Sequence, residues 1–399
     1  MSNVKRRDNK GRVLRNGESQ CKNGRYRFTF YENGKQKCLY SWRLERTDDV
    51  PEGKRYCEAL RDLIKDYEKK LELGLNYVAA KITVYELVDK YIRQRRGVKS
   101  STRTGYQTVL NYLKTDPFSD MRIDKVKISD AKSWLISLQV EKGKSYSSIH
   151  TIRGVLRPAF RLAVEDDLLV KNPFDFELVN VLVNDSISRE AVSKSDEEEF
   201  LRFIKNDNHF SKYYEGIYIL FNTGLRISEF CGLTLSDIDL KKKTLRVERQ
   251  LVRGSNMNYL IETPKTESGK RVLPMSKEVC ACFKTIIDSR KKPKKEPVVN
   301  GISGFLFLDK NEMPMVALHW EIYFQYSLEK YHRIYRRVLP KITPHVCRHT
   351  YCTNMAKRGI NPKTLQYLMG HADISITMNT YTHIKFDDAV EELKKSKLI

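Results

Sequence analysis

Hydrophobic and polar positions along the chain follow two different periods. In GRYRFTFYENGKQKCLYSWRL the alternation is strict: Tyr26, Phe28 and Phe30 fall on one side, Arg25, Arg27 and Thr29 on the other. A period of two predicts strands, and Asn33-Gly34 between them predicts a two-residue hairpin turn. Residues 54–74 then change to a helical period, with Leu60, Leu63, Ile64, Tyr67 and Leu71 on one stripe. That helix can cover the aromatic side of the hairpin. The result is a short sheet backed by one helix, with guanidinium groups on the open face.

Residues 82–180 keep the helical period throughout. Residues 83–96 place Val84, Leu87, Val88 and Tyr91 on one face. Ser100 is placed to cap a second helix running to 113. Ser129 is placed to cap a third, with Ala131, Trp134, Leu135 and Leu138 inward. A fourth helix spans 147–164 and is expected to bend at Pro158. Residues 180–195 lack periodicity and predict a linker. Beyond them, 196–399 read as mostly helical, with a strand pair around 244–252 and 259–273. The expected organisation is a sheet-plus-helix domain at 1–80, a four-helix domain at 81–180, and a mixed α+β domain at 181–399. The fold class is therefore mainly α with small β-sheets.

Charge adds a partner to this outline. The 399 residues carry 73 Lys and Arg against 50 Asp and Glu, a net +23, divided as +7, +6 and +10 over residues 1–80, 81–180 and 181–399. A surplus spread over every region suits a long polyanion better than a single basic anchor does, and double-stranded DNA is the expected partner. Candidate contacts are Arg25, Arg27, Lys35 and Lys37 on the hairpin, and Lys99, Arg103, Arg153, Arg157 and Arg161 on the helices. The sheet could enter a major groove as a β-ribbon. No apolar run is long enough to cross a membrane, and MSNVKRRDNKGR lacks the apolar stretch of a secretory signal. Eight cysteines show no Cys-x-x-Cys or zinc spacing. Reduced thiols and a cytoplasmic setting are expected, with Cys280 and Cys282 serving packing.

The chemistry-bearing residues lie in the last two hundred. Arg226 occurs in NTGLRISEFCGL, where Phe221, Leu225 and Phe230 read as core and Glu229 is a possible partner for the arginine. Lys265 occurs in the polar turn ETPKTESGKR. His345 and Arg348 occur in TPHVCRHTYCTNM, whose Thr343-Pro344 opens a helix. His371 and Tyr381 occur in YLMGHADISITMNTYTHI, with a helix start near Ser375. Tyr351 and Tyr367 occupy apolar helical settings and read as packing residues. Taken together the set suits phosphoryl transfer at a phosphodiester. Arginine forks clamp the non-bridging oxygens, tyrosine can attack phosphorus, lysine can protonate a leaving oxygen and imidazole can assist proton transfer. This chemistry requires neither metal nor cofactor.

In this order the motifs resemble the tyrosine recombinase (phage integrase) family, and the N-terminal unit resembles the arm-binding domain of conjugative-transposon integrases. The resemblance implies that Tyr381 is the nucleophile, Arg226 and Arg348 bind the scissile phosphate, and Lys265 is the general acid. It further implies that His345 assists proton transfer and His371 stabilises the phosphate. It implies a 3′-phosphotyrosyl intermediate, a Holliday junction and a homotetramer on DNA with core-type and arm-type sites. An excisionase-like accessory protein and residence on the bacterial nucleoid complete the expectation. The tail at 386–399 is expected to dock on a neighbouring subunit. Two other classes fit part of the sequence: a DNA-binding regulator that does not cut, and a monomeric supercoil-relaxing enzyme resembling type IB topoisomerases.

Overall fold

The computed structural model describes residues 6–32, 35–72, 82–186, 190–254, 257–264 and 267–381. The chain divides into two compact units, residues 1–186 and 187–399.

In the first unit, β1 (Glu18–Gln20), β2 (Tyr26–Glu32) and β3 (Lys35–Ser41) form an antiparallel sheet in the order β1-β2-β3. Glu32 stands opposite Lys35 at the end of this ladder, and the predicted turn residues Asn33 and Gly34 lie outside the described residues. Strand β1, three residues long, is too short to show a period and was not expected. Tyr26 and Phe30 are buried, and Phe28 is partly so. They pack under α1 (Leu60–Glu72), where the rings of Phe30 and Tyr67 lie 4.3 Å apart.

Helix α1 starts with its apolar stripe at Leu60, six residues inside the expected range of 54–74. The backbone before it is engaged elsewhere: Leu60 N–H donates to the Arg43 carbonyl, and the Ser41 hydroxyl and Arg43 guanidinium donate to the carbonyls of Glu58 and Cys57. Those bonds tie 57–60 to the end of β3 and exclude a helix there. Leu71 is 58% exposed rather than on the buried stripe.

The helices of this unit are α2 (Val84–Gln94), α3 (Ser100–Leu113), α4 (Ile128–Val140) and α5 (Tyr146–Glu165). Thr83 and Glu86 form a reciprocal capping box on α2, and Val84, Leu87, Val88 and Tyr91 are its buried face. Burial of each such side chain contributes about 1.5–3 kcal/mol. Ala131, Trp134, Leu135 and Leu138 point inward as expected. Two caps differ from expectation. Ser100 is the first residue of α3, whose N-cap Lys99 makes no side-chain bond. Helix α4 begins before Ser129, because the Asp130 carboxylate accepts the Lys127 N–H. Pro158 lies inside α5, which runs through it. The expected linker is in part core: Leu182 is buried among these helices, and Gln139 holds both the N–H and the carbonyl of Val183.

The second unit opens with α6 (Lys194–Asn206), α7 (Tyr214–Thr223) and the five-residue α8 (Ile227–Cys231). Next come β4 (Ile238–Asp239), β5 (Thr244–Val247), β6 (Gln250–Arg253), β7 (Tyr259–Glu262) and β8 (Arg271–Pro274). The expected strand pair is two ladders, β4-β5-β8 and β6-β7. The break falls where Arg249 turns inward to Asp237 and the Gln250 amide donates to the Thr263 carbonyl. Between β7 and β8, Glu267–Gly269 forms a single 3-10 turn, and Lys265 and Thr266 lie outside the described residues. Helices α9 (Lys277–Ser289) and α10 (Ala317–Ile334) complete a core in which Phe200, Phe230, Phe305, Trp320 and Phe324 are fully buried. Phe221, Leu225 and Phe230 belong to it, and Cys280 and Cys282 pack against it. The last elements are α11 (Pro344–Lys357), α12 (Pro362–Met369) and α13 (Ile374–Tyr381). Asp373, not Ser375, caps α13, its carboxylate accepting the Ser375 N–H. All eight cysteines are free thiols. No helix among the described residues is long and apolar enough to cross a membrane.

Candidate active site

Two helices end on a left-handed glycine, α7 at Gly224 (φ 64°) and α12 at Gly370 (φ 62°). A side chain is excluded at both: a Cβ on Gly224 would lie 2.5 Å from the Tyr351 ring, and one on Gly370 2.9 Å from a nitrogen of Arg271. Such ends leave carbonyl oxygens unpaired at the negative pole of the helix dipole, and arginines satisfy them. Arg348 donates to the carbonyls of Gly224 and Met369. Arg226 donates to the Gly370 carbonyl at 2.8 Å, and Arg271 to that of Leu368 at 2.8 Å. Three consecutive carbonyls, 368 to 370, thus hold three guanidinium groups from three distant parts of the chain.

Glu229 closes the cluster. Its buried carboxylate takes Arg226 at 2.6 Å on one oxygen and Arg271 at 3.0 Å on the other, and it also accepts the Arg226 N–H. Burial alone would raise this carboxyl, but Arg271 and then Arg226 hold it below its ordinary value. Burial, followed by repulsion from Arg226, pushes the Arg348 guanidinium down to about 9, still charged at neutral pH. Arg226 keeps 30% of its side chain exposed, whereas Arg271 exposes none.

His371 follows Gly370 and meets this charge directly. Burial, then Arg348, Arg226 and Arg271, lowers its imidazole to about 4. The ring is therefore neutral at physiological pH, and its Nδ1 lies 2.9 Å from the buried Thr377 hydroxyl. A neutral imidazole keeps one N–H donor for an incoming oxygen anion.

The remaining predicted residues are placed differently. His345 is exposed on the first turn of α11, while Arg348, three residues on, is buried. Thr343 caps that turn through the Val346 N–H, with Pro344 at its first position. Tyr381, at the end of α13, is half-buried against Cys352, Ala356, Leu365 and Met369 and donates its hydroxyl to the Ile360 carbonyl. Lys265 lies outside the described residues, as does the tail at 386–399. Tyr351 is partly buried, as expected. Tyr367 is half exposed, and its hydroxyl bonds both the N–H and the carbonyl of Val272, so it is a backbone clasp more than a packing residue. Sequence reasoning missed Arg271 altogether and assigned Glu229 only a pairing. The available signal was Arg271 at the foot of the polar turn, where the chain returns to a buried strand.

The DNA-contact candidates divide. On the open face of the sheet, Arg25 lies over the rings of Tyr40 and Trp42 at 4.9 and 5.7 Å, with Arg27 bonded to Ser19 beside it. Lys37 stands opposite Phe30, which puts it on the helix-covered face. Lys35 opens β3, its side chain lying outside the described residues. Arg103 is exposed and Lys99 half-buried. Arg157 pairs with Asp175 and Arg161 with Glu165. Arg153 is not outward: it is 8% exposed and donates to the Phe174 and Phe176 carbonyls. The turn at 174–176 folds back over α5 and takes this arginine as its internal donor.

Comparison with known proteins agrees with this geometry. The pattern of the phage integrase family matches residues 190–388, and that of the DNA binding domain of tn916 integrase matches residues 1–71. The transposase from transposon Tn1545 of Streptococcus agalactiae is 43% identical over 98% of this chain and 96% of its own. The transposase from transposon Tn916 of Enterococcus faecalis gives the same values. Among solved structures, a Tn1549 transposon integrase in complex with a circular intermediate DNA superposes with a TM-score of 0.75 at 42% identity, over 79% of this chain and 99% of that one. The chain belongs to the phage integrase family: it is a tyrosine-type site-specific recombinase that integrates and excises a mobile element.

Proposed function

We propose that the cluster built on the ends of α7 and α12 is the phosphate site of strand cleavage, and that Tyr381 is the nucleophile. Arg226 and Arg348 grip the two non-bridging oxygens of the scissile phosphate, with neutral His371 donating to the same group. The Tyr381 oxygen forms a bond to phosphorus as the bond to the 5′ oxygen breaks. Lys265 protonates that leaving oxygen, and His345 assists removal of the tyrosine proton. The 3′-phosphotyrosyl ester keeps the energy of the broken bond, so a 5′ hydroxyl from a second duplex reverses the step without ATP. Repetition on the other strands passes through a Holliday junction. The observation that carries this reading is the convergence of Arg226 and Arg348 on helix-end carbonyls beside an imidazole held neutral by them.

Three parts divide the work: residues 1–80 on arm-type DNA sites, 81–180 on core-type sites, and 181–399 for chemistry. Separate hydrophobic clusters support that division: one under the N-terminal sheet, one within the four helices and two in the second unit. The Tn1549 integrase, solved on DNA, supports double-stranded DNA as substrate. The active assembly is a homotetramer on DNA in the bacterial cytoplasm, bound to the nucleoid, with an excisionase-like protein steering direction. A nicked suicide substrate tests the reading. Wild-type protein should become covalently attached to the 3′ end, and failure to trap any adduct on cognate DNA would favour a regulator that only binds.

A further inference from the structure

Arg271 carries a full charge on a side chain that is 0% exposed. It cannot touch a substrate. Each of its three nitrogens is nevertheless bound, and to a different segment: Nε to the Leu368 carbonyl at the end of α12, one terminal nitrogen to the Gly269 carbonyl at 2.9 Å, and the other to Glu229 on α8 at 3.0 Å. A buried unpaired guanidinium would be costly, so the protein retains one here only with its donors satisfied. A planar fork makes three such bonds at fixed angles, which an ammonium cannot do.

Two of these bonds lead to residues of the phosphate site. Glu229 holds Arg226 with the carboxylate that Arg271 braces from behind. Leu368 lies two residues before Gly370, whose carbonyl takes Arg226 and whose successor is His371. The third bond holds Gly269, which lies against Pro264, a Cβ on it falling 2.4 Å from the proline ring.

We infer that Arg271 is a positioning residue for strand cleavage. It fixes Arg226 through Glu229, His371 through the end of α12, and Gly269 beside Pro264. The inference rests on the assignment of Arg226 and His371 to the phosphate site.

Arg271→Lys in the full-length protein tests it. The variant keeps the charge but reaches one of the three acceptors. Core-site DNA affinity should stay within about twofold, while the single-turnover rate of adduct formation on a suicide substrate falls about tenfold or more. In a Glu229→Gln background the same substitution should slow cleavage little further, because both changes break one linkage. Wild-type cleavage by Arg271→Lys overturns the proposal. So does a loss that follows DNA affinity, or one that multiplies fully with Glu229→Gln, as general destabilisation would. Should Arg271→Lys not fold, Glu229→Asp asks the same question, since a carboxylate withdrawn by one methylene cannot hold both guanidinium groups. Full-rate cleavage by that variant also overturns it. Tyr381→Phe in the same assay separates the two levels: an adduct from that variant removes the underlying phosphate-site reading, whatever Arg271 does.

Discussion

The arginines of the N-terminal sheet and those around α12 are the same residue in two opposite settings. Arg25 and Arg27 lie on an open face, backed by aromatic rings and a serine. Arg226, Arg271 and Arg348 sit against helix ends, their forks anchored on carbonyls and on Glu229. The first arrangement leaves the two guanidinium groups half-buried, one stacked on aromatic rings and the other tied to a single hydroxyl. The second allows them almost no motion, as charge stabilisation at one phosphorus demands. On the proposed function, burial and internal partners, more than the count of positive residues, separate the proposed contact arginines from the proposed reaction arginines. Even near the sheet the rule discriminates, since Arg12 and Arg61 are locked to Asp8, Asp48 and Glu18 and are structural.

The sharpest test is Tyr381→Phe. Adduct formation should vanish while DNA binding is unchanged, measured by gel shift and by trapping on suicide DNA, and any residual adduct would move the nucleophile elsewhere. Next is Arg226→Lys, which keeps charge but loses the fork. Cleavage should fall on the order of 10²–10³ with little change in affinity, and near-wild-type single-turnover rates would dissolve the distinction between the two sets of arginines. On the sheet, changing Arg25 and Arg27 together to Ala should reduce arm-site affinity about tenfold or more. It should also lower the salt slope by about 0.9 for each phosphate that is no longer neutralised. Core-site cleavage should survive, and its loss in a folded protein would merge the two regions.

Arg153→Met sharpens the comparison from the other side. Removing the donor to the Phe174 and Phe176 carbonyls should cost about 1–3 kcal/mol and lower the melting temperature by several degrees, with core-site affinity little changed. A selective loss of DNA binding at full stability would return Arg153 to the contact set. The smallest effect is one of pH. His371 stays neutral in the folded protein down to about 4, whereas an unfolded imidazole takes its proton near 6.5. Its contribution to stability is therefore complete above about 6.5 and declines as pH falls from about 6.5 toward about 4. His371→Gln should flatten that part of the stability–pH curve, and an unaltered slope would show that the ring is not buried beside the arginines.

Much of this was legible in the chain itself. The alternation at Tyr26, Phe28 and Phe30 determined the hairpin and its buried face. The stripe Val84, Leu87, Val88 and Tyr91 determined α2, because a 3.6 period has one folded meaning. Thr343-Pro344 determined the start of α11 through cap chemistry. What escaped reading depended on partners far away in sequence. The start of α1 was moved by bonds from Ser41 and Arg43. Arg153 was turned inward by carbonyls of a turn twenty residues on. Arg271 acquired its place from Glu229 and Leu368, and no local pattern announces either contact. Only Asp130 and Asp373, which displaced the serines proposed as helix starts, were local signals open to a second reading.

The Tyr367 hydroxyl has a consequence outside catalysis. Strand β8 borders its sheet, pairing on one side with β5 alone, and Val272 turns its N–H and carbonyl toward the unpaired side. A bare border of that kind is a template on which a second polypeptide can add a strand, and so a route to aggregation when many copies gather on one DNA. Tyr367 occupies both groups at 3.1 Å. One phenol thus closes that border of the sheet against strand addition.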